Sequence, residues 1–194
     1  MLRAAGAVFA ARGYHAASMD EIAERVGVSK PMVYNHFGSK EALYFAYIED
    51  AGRDLIAAIV DAERAVRSEP VAVRLRAGTL AFFRFVDAHR DGYAVLFSEM
   101  AARGGPLRRE VSAIRRQIVE LAQILFDRFA EEAGVAPEAI GGTEPLAVAY
   151  VGAGEWLANW WLEHPEQSAE QVAERLLDIG WHGLERVLAG RARA

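Results

Sequence analysis

The sequence predicts an all-α protein, a small N-terminal head of three helices followed by a longer helical body, with about nine helices in all. Three observations predict it. Apolar residues recur at three- and four-residue steps from Leu2 to Val187, the repeat of helices with one buried face. Clusters of Gly, Pro and Ser interrupt that repeat at Gly13, Gly27, Gly38, Ser68-Glu69-Pro70, Gly104-Gly105-Pro106 and between Gly134 and Gly142, where helices should end. The 194 residues are 53% hydrophobic, enough to bury a sizeable core and too apolar for a disordered chain.

In the head, helix 1 is expected from about Leu2 to Arg12, with Leu2, Ala5, Val8 and Phe9 on its inner stripe and Gly13 at its end. Ser18 and Glu21, three apart, form the pattern of a capping box, so helix 2 begins at about Met19 with Ile22, Ala23 and Val26 inside. Gly27 suits the left-handed position just past its end. Ser29 caps helix 3, where Pro31 is tolerated because first-turn N–H groups have no intrahelical partner. Val33 and Phe37 form its buried stripe, leaving Lys30, Tyr34 and Asn35 facing elsewhere and Met32 and His36 at the flanks. Gly38 closes it and Ser39 caps helix 4, which runs through Leu43, Ile48, Leu55, Ile59 and Val60 to about Arg67, with Gly52 as a weak point. Some 28 residues span roughly 40 Å at the helical rise, long enough for a lever between head and body.

In the body, helix 5 is expected from about Val71 to His89, with Leu75, Phe82, Phe83, Phe85 and Val86 apolar and Arg84 on a solvated face beside Asp87. Asp91-Gly92 opens helix 6, with Tyr93, Leu96, Phe97 and Met100 on one side. Helix 7 runs to about Ala133 on a stripe of Ile114, Ile118, Leu121, Leu125 and Phe129, with Arg108, Arg109, Arg115, Arg116 and Glu120 outside. Thr143 caps helix 8, whose stretch Leu146 to Leu162 is apolar on almost every side. A helix apolar all round must be buried all round, and one body covers only one face of an outer helix, so the other needs a partner. Helix 9 opens with a second capping box, Ser168 with Gln171, and runs through Val172, Leu176, Ile179, Leu184 and Val187, with Gly180 and Gly183 allowing close approach.

Net charge is −5, and its division matters more than its sum. Residues 1–49 carry five basic and five acidic side chains, whereas residues 50–194 carry 17 and 22. A neutral head on an acidic body implies weak sequence-independent affinity for nucleic acid, so binding must depend on a few placed contacts and on two heads per dimer. The chain opens mid-pattern on an apolar helix without a cap, and we expect some N-terminal residues to precede it. No signal peptide is visible at Met1-Leu2-Arg3. The run Leu146 to Leu162 is short for a membrane span and has Glu155 inside it, so a cytoplasmic protein is expected. There is no cysteine, which excludes disulfides and thiolate metal sites.

Two short helices joined by a glycine-containing turn have the form of a helix-turn-helix, whose second helix can enter the DNA major groove. The other reading is an ordinary helical hairpin packed in a core. Both lysines of the chain, Lys30 and Lys40, lie at helix starts in this segment, and Lys, Tyr, Asn and His are donors that suit phosphate oxygens and base edges. Residues 1–48 also resemble the DNA-binding domain of the TetR/AcrR family of bacterial transcriptional regulators. The resemblance rests on Phe9 and Arg12-Gly13-Tyr14, Ile22-Ala23, Val26-Gly27-Val28-Ser29, Tyr34 with His36-Phe37, and Ser39-Lys40-Glu41 with Leu43. Pro31 and Met32 depart from the common family pattern and bear on operator sequence.

On this reading Ser18, Ser29, Tyr34, His36 and Lys40 position the head on phosphates, while Lys30, Pro31, Met32 and Asn35 face base edges. The resemblance implies a DNA-binding domain over 1–48 and a ligand-binding and dimerisation domain over 49–194. It further implies a homodimer through helices 8 and 9, a palindromic operator in double-stranded DNA with half-sites about 34–36 Å apart, and a repressor released by a small, mainly apolar effector. The alternative is a helical ligand-binding or dimerisation module that never meets DNA.

No enzyme is expected, and no cofactor. The five histidines have no metal-ligand spacing, and no glycine-rich phosphate loop or nucleophile elbow is present. An effector site is expected among Phe82, Phe85, His89, Tyr93, Phe97, Met100, Glu155, Trp156, Asn159 and Trp160, each aromatic being equally suited to the core. Glu155 and Asn159 lie four apart on one face of an apolar helix. A buried carboxylate is costly alone, so Glu155 needs a ligand group, an arginine, or a polar residue across the dimer.

Overall fold

The computed structural model describes residues 1–90, 92–94 and 108–191, and every regular element among them is helical. In order these are α1 (Leu2–Ala16), α2 (Met19–Val26), α3 (Lys30–Phe37), α4 (Lys40–Ala65), α5 (Val71–Ala88), α6, described over 92–94, α7 (Arg108–Glu132), a 3-10 turn (Pro137–Ile140), α8 (Glu144–Leu162) and α9 (Ala169–Arg191). The chain divides into two compact units. One contains Met1–Asp54 and His89–Ile114, the other Leu55–Ala88 and Arg115–Ala194.

In the first unit α1 breaks at Gly13, whose φ of 72° is left-handed, before one further turn. Gly27 stops α2 in the same region at φ 77°. Val8, Phe9, Ile22, Val33, Leu43 and Ile48 are almost fully buried, and burying each such side chain stabilises by roughly 1.5–3 kcal/mol. Phe9 packs edge-on to Tyr44 at 4.6 Å between ring centroids, joining α1 to α4. The Tyr47 ring lies directly over Gly6, so α1 approaches α4 more closely than any side chain at position 6 would allow. Gly52 has the same role. It sits inside an unbroken α4 with Ile114 against its Cα, so it is a close-packing position and not the weak point its residue type predicts.

The first capping box does not close. Ser18 Oγ accepts from Asp20 N–H at 3.1 Å, while the Glu21 carboxylate turns to Arg12 at 3.5 Å. Ser39 does cap α4, accepting from Ala42 N–H at 3.0 Å. Ser29 precedes α3 without a side-chain cap.

In the second unit Val71 and Leu75 of α5, Ala122, Leu125 and Phe126 of α7, Ala147 of α8 and Leu177 of α9 form one core. Phe83 meets the buried Trp161 edge-on, and Trp161 Nε1–H donates to the Gln167 carbonyl at 2.8 Å. Buried Arg74 donates to Glu63 of α4 through Nε at 2.6 Å. The second capping box closes in both directions, Ser168 N–H to Gln171 Oε1 at 2.9 Å and Gln171 N–H to Ser168 Oγ at 3.3 Å. Gly180 receives the Tyr150 ring, whereas Gly183 faces open space.

One further expectation is corrected here. Thr143 precedes α8 but turns its hydroxyl to Asp127 of α7 instead of capping. Arg84 lies on a solvated face as expected, its side chain 62% exposed, and pairs there with Glu170 of α9 at 3.0 Å. Ile179 is 76% exposed, outside this core. The Gly104-Gly105-Pro106 break and Leu96 lie outside the described residues, and only backbone is described at Leu184 and Val187.

Tyr150 donates its O–H to Thr79 Oγ1 at 2.7 Å, and Thr79 donates onward to the Leu75 carbonyl at 2.8 Å. Burial pushes the Tyr150 phenol up to about 12. The folded state therefore keeps the proton that the unfolded chain loses near pH 10, so this contribution is complete below pH 10 and is lost as pH rises towards 12. Thermal unfolding followed from pH 9 to 12 should show stability falling by about 1.4 kcal/mol per pH unit from this group. Tyr150→Phe should remove that part of the slope.

Candidate functional site

The second helix of the helix-turn-helix is held by one side and open on the rest. Val33 is fully buried and Phe37 half-buried, while Lys30, Pro31, Met32, Tyr34, Asn35 and His36 are all exposed. Met32 and Tyr34, at 53% and 40% exposure, are large side chains a folding core would not leave outside. Gly38, at φ 79° and ψ −42°, ends the helix right after Phe37, so the exposed face is two turns long. Ser18 and Ser29 stand at the starts of α2 and α3, where unpaired N–H groups favour anions.

The two lysines are both engaged. Lys30 Nζ donates to Asp20 Oδ2 at 2.8 Å, across from α3 to α2. Lys40 Nζ donates to the carbonyls of His15 and Ala17, each at 3.1 Å, and lies 4.8 Å from the Tyr14 ring centroid. It thereby ties off the end of α1, with two of its three N–H donors used.

The effector candidates fall in both units. In the first, Tyr93 is buried and His89 exposed. Phe97 and Met100 lie outside the described residues. In the second, Phe85 is buried and Phe82 half-buried, with the Phe82 ring 5.0 Å from that of Phe83. Glu155 is buried, and of the three partners its sequence position allows it has an arginine. Arg115 grips it in a two-pronged bond, Nε to Oε1 at 2.9 Å and Nη2 to Oε2 at 2.7 Å. Arg115 is thus not simply an outward residue of α7. Asn159 is half-buried, while Trp156 and Trp160 are 68% and 36% exposed. Among the described residues no group of three or more potential ligands is placed to hold a metal ion.

Residues 1–47 match the family model described as bacterial regulatory proteins, tetR family, and residues 71–183 match the tetracyclin repressor-like C-terminal domain. The chain belongs to the TetR family. It is 31% identical over 188 residues to the HTH-type transcriptional activator FasR of Mycolicibacterium smegmatis, covering 96% of this chain and 82% of that one. A TetR-like transcriptional regulator from Rhodococcus sp. RHA1 superposes with a TM-score of 0.76 at 29% identity, over 95% of this chain and 93% of that one. The transcriptional regulator FadR from Bacillus subtilis, solved in complex with stearoyl-CoA, shares the fold at a TM-score of 0.74 and 14% identity, over 92% and 95% of the two chains. The protein is a DNA-binding transcriptional regulator, as the family is.

Within this TetR-family chain, sequence reasoning missed Asp20 and Arg115 as partners of the residues it singled out. Both contacts join separate helices, ten and 40 residues apart, and no local pattern announces them. The outward face of α8 was better signalled. Val148, Trp156 and Trp160 stand at four- and eight-residue spacings, 36% to 68% exposed. No described helix is long and apolar enough to cross a membrane.

Proposed function

We propose that this regulator binds a palindromic operator as a homodimer, reads it with α3, and is released by a small, mainly apolar effector. Residues 1–48 then form the DNA-binding domain and residues 49–194 the ligand-binding and dimerisation domain, working in the cytoplasm. The observation that carries the reading is α3 itself, one buried valine holding six exposed residues that include four polar donors. Pairing through α8 and α9 is supported by Trp156 and Ile179, large apolar side chains left 68% and 76% exposed by a single chain. Phe82 and Phe85 support an apolar effector, and the stearoyl-CoA held by the FadR fold neighbour gives the first compound class to try. The effector must favour the released conformation, since equal affinity for both would shift nothing.

A repressor is the reading the family resemblance favours, and an activator is the second, favoured by the FasR relative that carries that name. A reporter fused to the regulated promoter separates them, because deleting the regulator raises expression in the first case and lowers it in the second. The DNA contacts are tested by Asn35→Ala. Each head loses a base-edge contact pair worth about 1–3 kcal/mol, so the dimer loses about 2–6 kcal/mol and operator affinity should fall at least roughly 30-fold. Affinity for an unrelated duplex should not change. An equal loss on both DNAs would assign Asn35 to the phosphates.

A further inference from the structure

The second helix of the head carries an acid where a DNA-binding surface would be expected to carry none. Asp20 lies in the first turn of α2, where the helix N-terminus favours its charge, and its side chain is exposed. Its Oδ2 holds the Lys30 ammonium at 2.8 Å. Lys30 is the first residue of α3 and, with Lys40 tied to the end of α1, its charge is the one lysine charge on the exposed face of that helix. The hydrogen bond and charge of Asp20 raise the Lys30 pKa, so the ammonium stays protonated across any physiological pH.

An exposed pair of this kind contributes little to folding stability, with 46% and 66% of the two side chains in water. Its consequence lies in competition. A phosphate oxygen and the Asp20 carboxylate are both anionic acceptors for the same N–H groups, and DNA must displace one to gain the other.

We propose that Asp20 is a positioning residue that competes with DNA for Lys30, keeping this lysine off the phosphates of unrelated DNA and releasing it when α3 docks on the operator. The proposal rests on the reading of α3 as the DNA-contacting helix. In wild-type protein on an unrelated duplex the clasp stays closed, and Lys30 contributes no released counterion.

The test compares full-length wild type, Asp20→Asn, Asp20→Glu, Lys30→Ala and the Asp20→Asn/Lys30→Ala double variant on operator and on an unrelated duplex across a salt series. One extra phosphate contact per head steepens the salt slope by about 2 for a dimer, so Asp20→Asn should tighten binding to the unrelated duplex roughly tenfold or more at low salt. Asp20→Glu should keep the wild-type slope, melting temperatures should match, and the gain should vanish when Lys30 is alanine. An unchanged slope in Asp20→Asn, a gain that persists without Lys30, or weaker operator binding in Asp20→Asn would each overturn the proposal. If Lys30→Ala alters binding to neither DNA, the reading of α3 fails and the proposal with it. If Lys30→Ala weakens operator binding while Asp20→Asn leaves the slope unchanged, only the proposal fails.

Discussion

Replacing Trp156 and Ile179 together by glutamate is expected to give a folded monomer with at least about 100-fold weaker operator binding. The two side chains are 68% and 76% exposed in the single chain, so a charge at either position meets water and costs the monomer's fold little. Across a two-fold interface the same charges would be buried beside their own copies, unpaired and repelling. A dimer binds its second half-site as an intramolecular event, and losing that advantage forfeits two to four orders of magnitude without touching a DNA contact. Sedimentation gives the mass, circular dichroism the fold and a gel shift the affinity. A variant that remains dimeric would place the interface elsewhere.

Arg115→Ala is expected to destabilise the protein by about 2–3 kcal/mol, because it strands the buried Glu155 carboxylate without its guanidinium. The figure is set below that for a fully buried pair because the Arg115 side chain is 44% exposed and water already screens it. For a chain of this size that corresponds to a melting point lower by roughly 5–10 °C. Adding Glu155→Leu should recover most of the loss, since an apolar side chain of similar volume needs no partner at that position. If Arg115→Ala melts like wild type, the pair is not what makes Glu155 tolerable, and an effector or partner group becomes its counter-charge. If Glu155→Leu alone is as stable as the double variant, Arg115 acts only through Glu155, whereas an equal cost of Arg115→Ala in both backgrounds would make the coupling between the two residues small.

The helices were legible because their ends carry local chemistry. Gly13 and Gly27 take up the left-handed conformation their type predicts, and Ser168 with Gln171 closes as a reciprocal cap. Ser18 with Glu21 has the same spacing and does not close, because Arg12 of α1 competes for the carboxylate. A neighbour nine residues away decides between two identical patterns. Gly52 shows the same limit, since residue type alone does not separate a flexible glycine from one that makes room for Ile114. Ile179 fits a core stripe by periodicity, which identifies an apolar face without saying whether its own chain or another covers it. The exposed face of α3 followed from Val33 and Phe37 at four-residue spacing. The engagement of Lys30 by Asp20 did not, because it needs α2 and α3 in their folded relation.

The most direct test of the DNA-reading dimer is binding of the purified full-length protein to the intergenic DNA beside its own gene, measured at two salt concentrations against an unrelated duplex. A palindrome bound saturably, protected over two half-sites one helical turn apart and lost as salt rises, is the predicted result. Equal affinity for both DNAs at low salt, from a protein confirmed as a dimer, would contradict it and leave a helical binding module whose hairpin does not read DNA.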